Sequence, residues 1–195
     1  MPTPKRLQRL RTRIKKLEGH FLPDTFSLTG KYSQRQNDLT KAFLLLAHAE
    51  LESYFEDRAR KLAMNAQERF TKSGVCTPIL SRLLVYHHAI KDSLEPPSQD
   101  TVRKAMNYYL DHLDKNHGIR EKHLFTIFLP LGISHSAIDA QLIAACNQLS
   151  LKRGQFAHQS FKTHQQVDPK TERDNIMNNI LPQLVKLEKQ IKKLR

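Results

Sequence analysis

Ala47-His48-Ala49-Glu50-Leu51-Glu52-Ser53-Tyr54-Phe55-Glu56-Asp57 is the stretch whose reading decides the fold. With a turn of about 100° per residue, Leu44, Ala47, Leu51, Tyr54, Phe55 and Leu62 fall on one face, so the spacing predicts a single long helix from Ser33 to about Thr71. Arg58 lies near the middle of that face, where a charged group needs an ionic partner or a dimer interface. Glu52 lies at its edge.

The same periodicity of three to four extends in both directions, and strand signals are nearly absent. Upstream, Leu7, Leu10, Ile14 and Leu17 make one narrow apolar stripe with a basic ridge opposite, a helix over residues 1–20. Gly19, Pro23 and Gly30 punctuate the loop that follows. Downstream, Ser73-Gly74 ends the long helix and Ile79 to Ile90 forms a shorter one, before the break at Glu95-Pro96-Pro97-Ser98. Asp100 is placed to cap a helix from about Thr101 to Asn116, which Gly118 ends. Leu124 to Leu129, bounded by Pro130 and Gly132, reads as a short buried helix, with a strand as the alternative. Ser134 is placed to cap a helix carrying Ile138, Leu142, Ile143, Ala145, Cys146 and Leu149. A basic helix over residues 169–195 closes the chain, with Pro182 as a site for a kink. The expected architecture is all-α: one domain over residues 1–195, a helical bundle of about five to seven helices around the long central one.

A chain of 195 residues is long enough to bury a core without disulfides or metals. The 32 Lys and Arg outnumber the 19 Asp and Glu, for a formal charge of +13, and that excess favours a polyanionic partner. Two cysteines, Cys76 and Cys146, make no disulfide framework. No apolar stretch is longer than Ala42 to Ala47, too short for a signal peptide core or a bilayer span. The expectation is a soluble, cytoplasmic protein that engages no membrane.

At the end of the helix after Ser134 stands Lys152-Arg153-Gly154-Gln155-Phe156-Ala157-His158-Gln159. Histidine titrates near neutral pH and can take the proton of a ribose 2′-hydroxyl or return one to a leaving 5′-oxygen. Arginine keeps its charge and forks onto phosphate oxygens. Five residues apart on a continuous helix, Arg153 and His158 point about 140° away from each other. Two routes bring such groups together: a break of the helix at Gly154, or a symmetric dimer that pairs two copies of the motif on its twofold axis.

These residues give the chain a resemblance. The Arg-x4-His stretch, the run Ala47 to Asp57 and the approach Leu129-Pro130-Leu131-Gly132-Ile133 are similar to the HEPN superfamily of small helical nucleases, in the branch named for association with the RiboL-PSP group. The likeness covers about Thr40 to Phe161. It implies a metal-independent endoribonuclease that works as a homodimer, combines Arg153 and His158 of both protomers in a cleft and leaves a cyclic phosphate. Toxins of toxin–antitoxin modules and antiviral-defence nucleases are common in that group, so the implied partners are RNA and an antitoxin or other regulatory protein. The resemblance also assigns Glu52, with His48 one turn before it, to orienting the motif. Lys152, Gln155 and Lys162 flank the motif as contacts to RNA phosphates. Gly154 departs from the pattern, since active members often carry Asn, Asp or His after the Arg.

Other chemistries find less support. Ten histidines invite a metal, but His87-His88, His112, His117 and His123 fit neither HExxH nor a Cys/His zinc spacing. No Gly-rich phosphate loop or nucleophile elbow is present, and neither metal nor cofactor is expected. The alternative function is a non-catalytic module of the same fold that holds RNA or a partner protein.

Overall fold

Ser33 accepts a hydrogen bond from the backbone N–H of Gln36, and the Gln36 side chain accepts one from the N–H of Ser33. This reciprocal cap starts the long helix, α2 (Gln34–Ser73). Gly74 ends it at φ +68°, in the left-handed conformation, with its N–H on the carbonyl of Phe70. Leu44, Ala47, Leu51, Tyr54, Phe55 and Leu62 are all buried, as the 100° spacing requires. The computed structural model describes residues 4–87, 97–158 and 166–194.

Around α2 stand α1 (Lys5–Phe21), α3 (Pro78–Tyr86), α4 (Gln99–Asp114), α5 (Glu121–Phe128), α6 (Ala140–His158), α7 (Pro169–Asp174) and α8 (Leu181–Lys193). Helices α1 and α3 to α7 all touch α2 directly. A π-helical turn over Asn175–Ile180 joins α7 to α8 without interruption, so the described residues make seven helical rods and no strand. One continuous cluster of buried side chains draws on α1 to α6 and α8. The apolar run before Pro130 is the helix α5, closed by a tight 3-10 turn at Leu129–Leu131 and by Gly132 at φ +95°.

Several boundaries differ from the sequence expectation, each for a local reason. Ser98, not Asp100, caps α4 by accepting from the N–H of Thr101. Asp100 lies within the first turn, where it pairs with Arg103 and Lys104. Ser134 opens a separate 3-10 turn, His135–Ala137, and Asp139 takes over at the start of α6, accepting from Gln141 N–H at 2.9 Å. Helix α3 ends at Tyr86; the expected continuation from His88 to Ile90 lies outside the described residues. Pro182 cannot donate to the carbonyl four residues back and crowds it, and the wider π turn immediately before it is where the rod changes register.

Arg58 has its partner within the chain. Its guanidinium forks onto Glu188 of α8, Nε to Oε1 at 2.5 Å and Nη2 to Oε2 at 2.7 Å, while the Tyr54 hydroxyl donates to Oε1 at 2.7 Å. All three residues are buried. The charge on the apolar face of α2 is thereby satisfied, and no dimer interface is required there.

Candidate functional site

His48 and Glu52 are four residues apart on α2, about 40° around the helix, and so share the face turned towards α6. Across from them, Asn147, Ser150 and Gly154 recur every three or four positions along α6. Asn147 Oδ1 accepts from the backbone N–H of Glu121 at 2.9 Å, which ties the start of α5 to α6. Ser150 Oγ lies 3.2 Å from His48 Nε2. His48 Nδ1 faces Glu52 Oε2 at 3.7 Å, close enough for charge attraction and too long for a good hydrogen bond.

These helices and the α4–α5 connection enclose a cleft of about 300 Å³, lined by His48, Glu52, His117, Gly118, Arg120, His123, Ser150, Arg153 and Gly154. Three imidazoles and two guanidiniums therefore surround one carboxylate. Gly118 shapes the connection in two ways. Its φ of +126° is a backbone state that residues with a side chain rarely adopt, and a Cβ there would meet His123 Nδ1 at 2.6 Å. The His123 ring thus lies directly against the Gly118 backbone, with Nδ1 buried and unpartnered among the described residues.

The charges act on the histidines in a consistent direction. Burial pushes His48 below its ordinary range; Glu52 opposes this, while Arg153, His123 and Arg120 reinforce it. His123 is also held low, first by burial, then by Lys122 and Arg120, with Glu52 opposing and His117 adding a little. Burial and the neighbouring Glu52 raise the Glu56 carboxyl one turn along α2. The cleft favours the neutral forms of His48 and His123 and offers two positive charges, on Arg120 and Arg153.

The expected site residues divide. Arg153, His48 and Glu52 meet at this cleft. Helix α6 runs without interruption to His158, so Gly154 does not break it, and no described atom comes within 4 Å of a Cβ placed at Gly154. The first of the two routes, a helix break at Gly154, is therefore absent among the described residues, and the roughly 140° separation of Arg153 and His158 along α6 stands. The side chain of His158 and all of Lys162 lie outside the described residues. Lys152 turns away from the cleft to pair with the buried carboxylate of Glu172 on α7. Gln155 is exposed and not part of the cleft wall.

Sequence reasoning missed His117, Arg120, His123 and Ser150. The first three belong to His117-Gly118-Ile119-Arg120-Glu121-Lys122-His123, tested only against metal-ligand spacings. The signal was there in another form: a cationic, glycine-containing turn at a helix start suits an anion. Among the described residues no group of three His, Cys, Asp or Glu side chains is arranged to hold a metal ion, and no helix is long and apolar enough to cross a membrane. Burial pushes the Cys146 thiol up to about 12, far from a thiolate nucleophile at neutral pH.

Residues 8–192 match a family model described as RiboL-PSP-HEPN. No curated protein and no solved structure matches the chain.

Proposed function

Because the chain belongs to the RiboL-PSP-HEPN family, we propose that it is a metal-independent endoribonuclease with Arg153 and His158 as its catalytic pair. The observation that carries this reading is the convergence of Arg153 on α6 with His48 and Glu52 on α2 at one basic cleft, the helix pairing the resemblance implied. In the reaction the ribose 2′-oxygen attacks phosphorus as His158 removes its proton. The bond to the 5′-oxygen breaks, that oxygen is protonated by a second imidazole, and a 2′,3′-cyclic phosphate and a 5′-hydroxyl remain. Arg153 stabilises the charge that gathers on the phosphoryl oxygens. RNA supplies its own nucleophile, so DNA is not a substrate for this route.

The unbroken course of α6 favours the two-chain arrangement over a broken helix, with a homodimer bringing both copies of the motif to one cleft. Glu52 and His48 orient the motif from α2. Gln155 and Lys162 contact flanking phosphates, whereas Lys152 does so only if its pair with Glu172 opens. The proposed setting is a toxin–antitoxin or antiviral-defence module, with RNA as substrate and an antitoxin or other regulator as protein partner.

Gly154 favours a second reading, a non-catalytic module that binds RNA or protein, because the polar group often found after the Arg is missing. Incubating purified protein with RNA in EDTA, beside His158→Ala, decides between them. Cleavage lost in the variant supports the nuclease, equal cleavage by both identifies a contaminant, and tight binding without cleavage selects the module. The mass in solution tests the dimer, since a strict monomer removes the two-chain mechanism.

A further inference from the structure

We propose that the α4–α5 connection and the first turn of α5 form a phosphate-binding arm, in which Arg120 and His123 hold a phosphodiester of RNA against Arg153 of α6. This deepens the nuclease reading and rests on it for the identity of the ligand.

Four observations carry it. Arg120, His117 and His123 come from one seven-residue segment and line the same cleft as Arg153, which lies on a different helix. Neither Arg120 nor Arg153 is in an ion pair among the described residues, although many other cationic side chains near carboxylates are paired, Lys152 included. Arg120 precedes α5 without capping it through its side chain, so its guanidinium has no structural duty at the helix start. The His123 ring occupies the space where a Cβ at position 118 would stand, so the glycine admits the ring at the cleft wall. Two fixed guanidiniums with imidazoles beside them and only Glu52 to oppose them suit an anion bearing several acceptor oxygens.

Binding is linked to protons. An anion between Arg120 and Arg153 offsets the positive charges that hold His123 and His48 low, so both take up protons more readily when phosphate is bound. Affinity therefore rises as pH falls through the bound-state titration of these groups. The facing charges that set the size of this effect are Glu52 on α2, His117, Arg120 and Lys122 around the start of α5, and Arg153 on α6.

The test uses a short fluorescein-labelled oligonucleotide of 2′-O-methyl RNA, which has no free 2′-hydroxyl and cannot be cut. Anisotropy is read for the full chain and for Arg120→Ala, His123→Gln, Arg153→Ala and, as a control outside the cleft, Lys189→Ala. Arg120→Ala should weaken binding roughly tenfold or more, the loss of a charge-assisted hydrogen bond, and Lys189→Ala less than about twofold. His123→Gln should flatten the gain in affinity between about pH 8 and about pH 6. Equal losses in Arg120→Ala and Lys189→Ala reduce the effect to overall charge and overturn the proposal. So does absence of binding by the unaltered chain, or competition showing that the cleft takes inorganic phosphate but not RNA. Cleavage of unmodified RNA is scored separately: binding through Arg120 without cleavage sinks the nuclease reading alone, and cleavage with Arg120→Ala binding normally sinks the arm alone.

Discussion

Gly118 and Gly154 line one cleft and are glycines for different reasons. Gly118 sits at φ +126° with the His123 ring where a Cβ would go, whereas Gly154 is helical with open space around it. Alanine at position 118 must therefore strain the backbone and push His123 off the cleft wall, at a cost of about 1–3 kcal/mol. Alanine at position 154 removes a weak helix former from the C-terminal part of α6 and stabilises it by about 0.5–1 kcal/mol. Urea unfolding of the two variants should show shifts of opposite sign. A Gly154→Ala variant as damaged as Gly118→Ala would mean that something outside the described residues packs on Gly154. The contrast also marks the limit of the sequence. Both glycines were conspicuous in it, but only the fold shows that Gly118 is shaped by a neighbour five residues on and that no neighbour among the described residues shapes Gly154.

At the level of helices, legibility followed the range of the forces involved. The apolar face of α2 was readable because hydrophobic burial repeats with the helix, and Arg58 could be singled out as a misfit on it. Its partner Glu188, some 130 residues on, could not be named, because ion pairing between distant elements leaves no local pattern. The cleft shows the same division. Arg153 and Glu52 were named through the family resemblance and His48 through its position one turn before Glu52, while Arg120 and His123 reach them only through the packing of α5 on α2 and α6. That packing has a measurable consequence, since it buries histidines among positive charges. Folding lowers the affinity of His48 and His123 for protons relative to the unfolded chain, whose histidines titrate near 6.5. Above about pH 6.5 both are neutral in either state and their contribution to stability is intact. As pH falls below that value the unfolded chain binds protons that the folded chain resists, and stability is lost down to the folded-state titration. Glu56, held above its ordinary range, works in the opposite sense at lower pH. The melting temperature should therefore hold between about pH 8 and about pH 7 and fall below about pH 6.5, less so in a His48→Gln, His123→Gln double variant. A drop of equal size in that variant would place the responsible histidines elsewhere.

Across the whole molecule, the +13 charge divides between two sides of α2. Glu50 and Asp57, which hold Arg13 and Arg6 of α1, lie about 180–200° around α2 from His48, so α1 and the cleft occupy opposite faces of the central helix. The outer face of α1 carries Lys5, Arg9, Arg13 and Lys16 along a shallow groove of its own. A short oligonucleotide seated at Arg153 has no reason to reach this ridge, although the ridge adds to the long-range attraction of any polyanion. Counterion release separates the two contributions, because each phosphate contact changes the slope of log affinity against log salt by about one. Arg153→Ala should lower that slope by about one and weaken binding at every salt concentration. Arg9→Ala combined with Lys16→Ala, which removes twice the charge, should leave the slope within about half a unit of the unaltered chain. Anisotropy titrations over a series of salt concentrations measure both. If the α1 double variant loses the larger slope, RNA runs along the basic ridge instead, and the cleft at α6 is not the main binding surface.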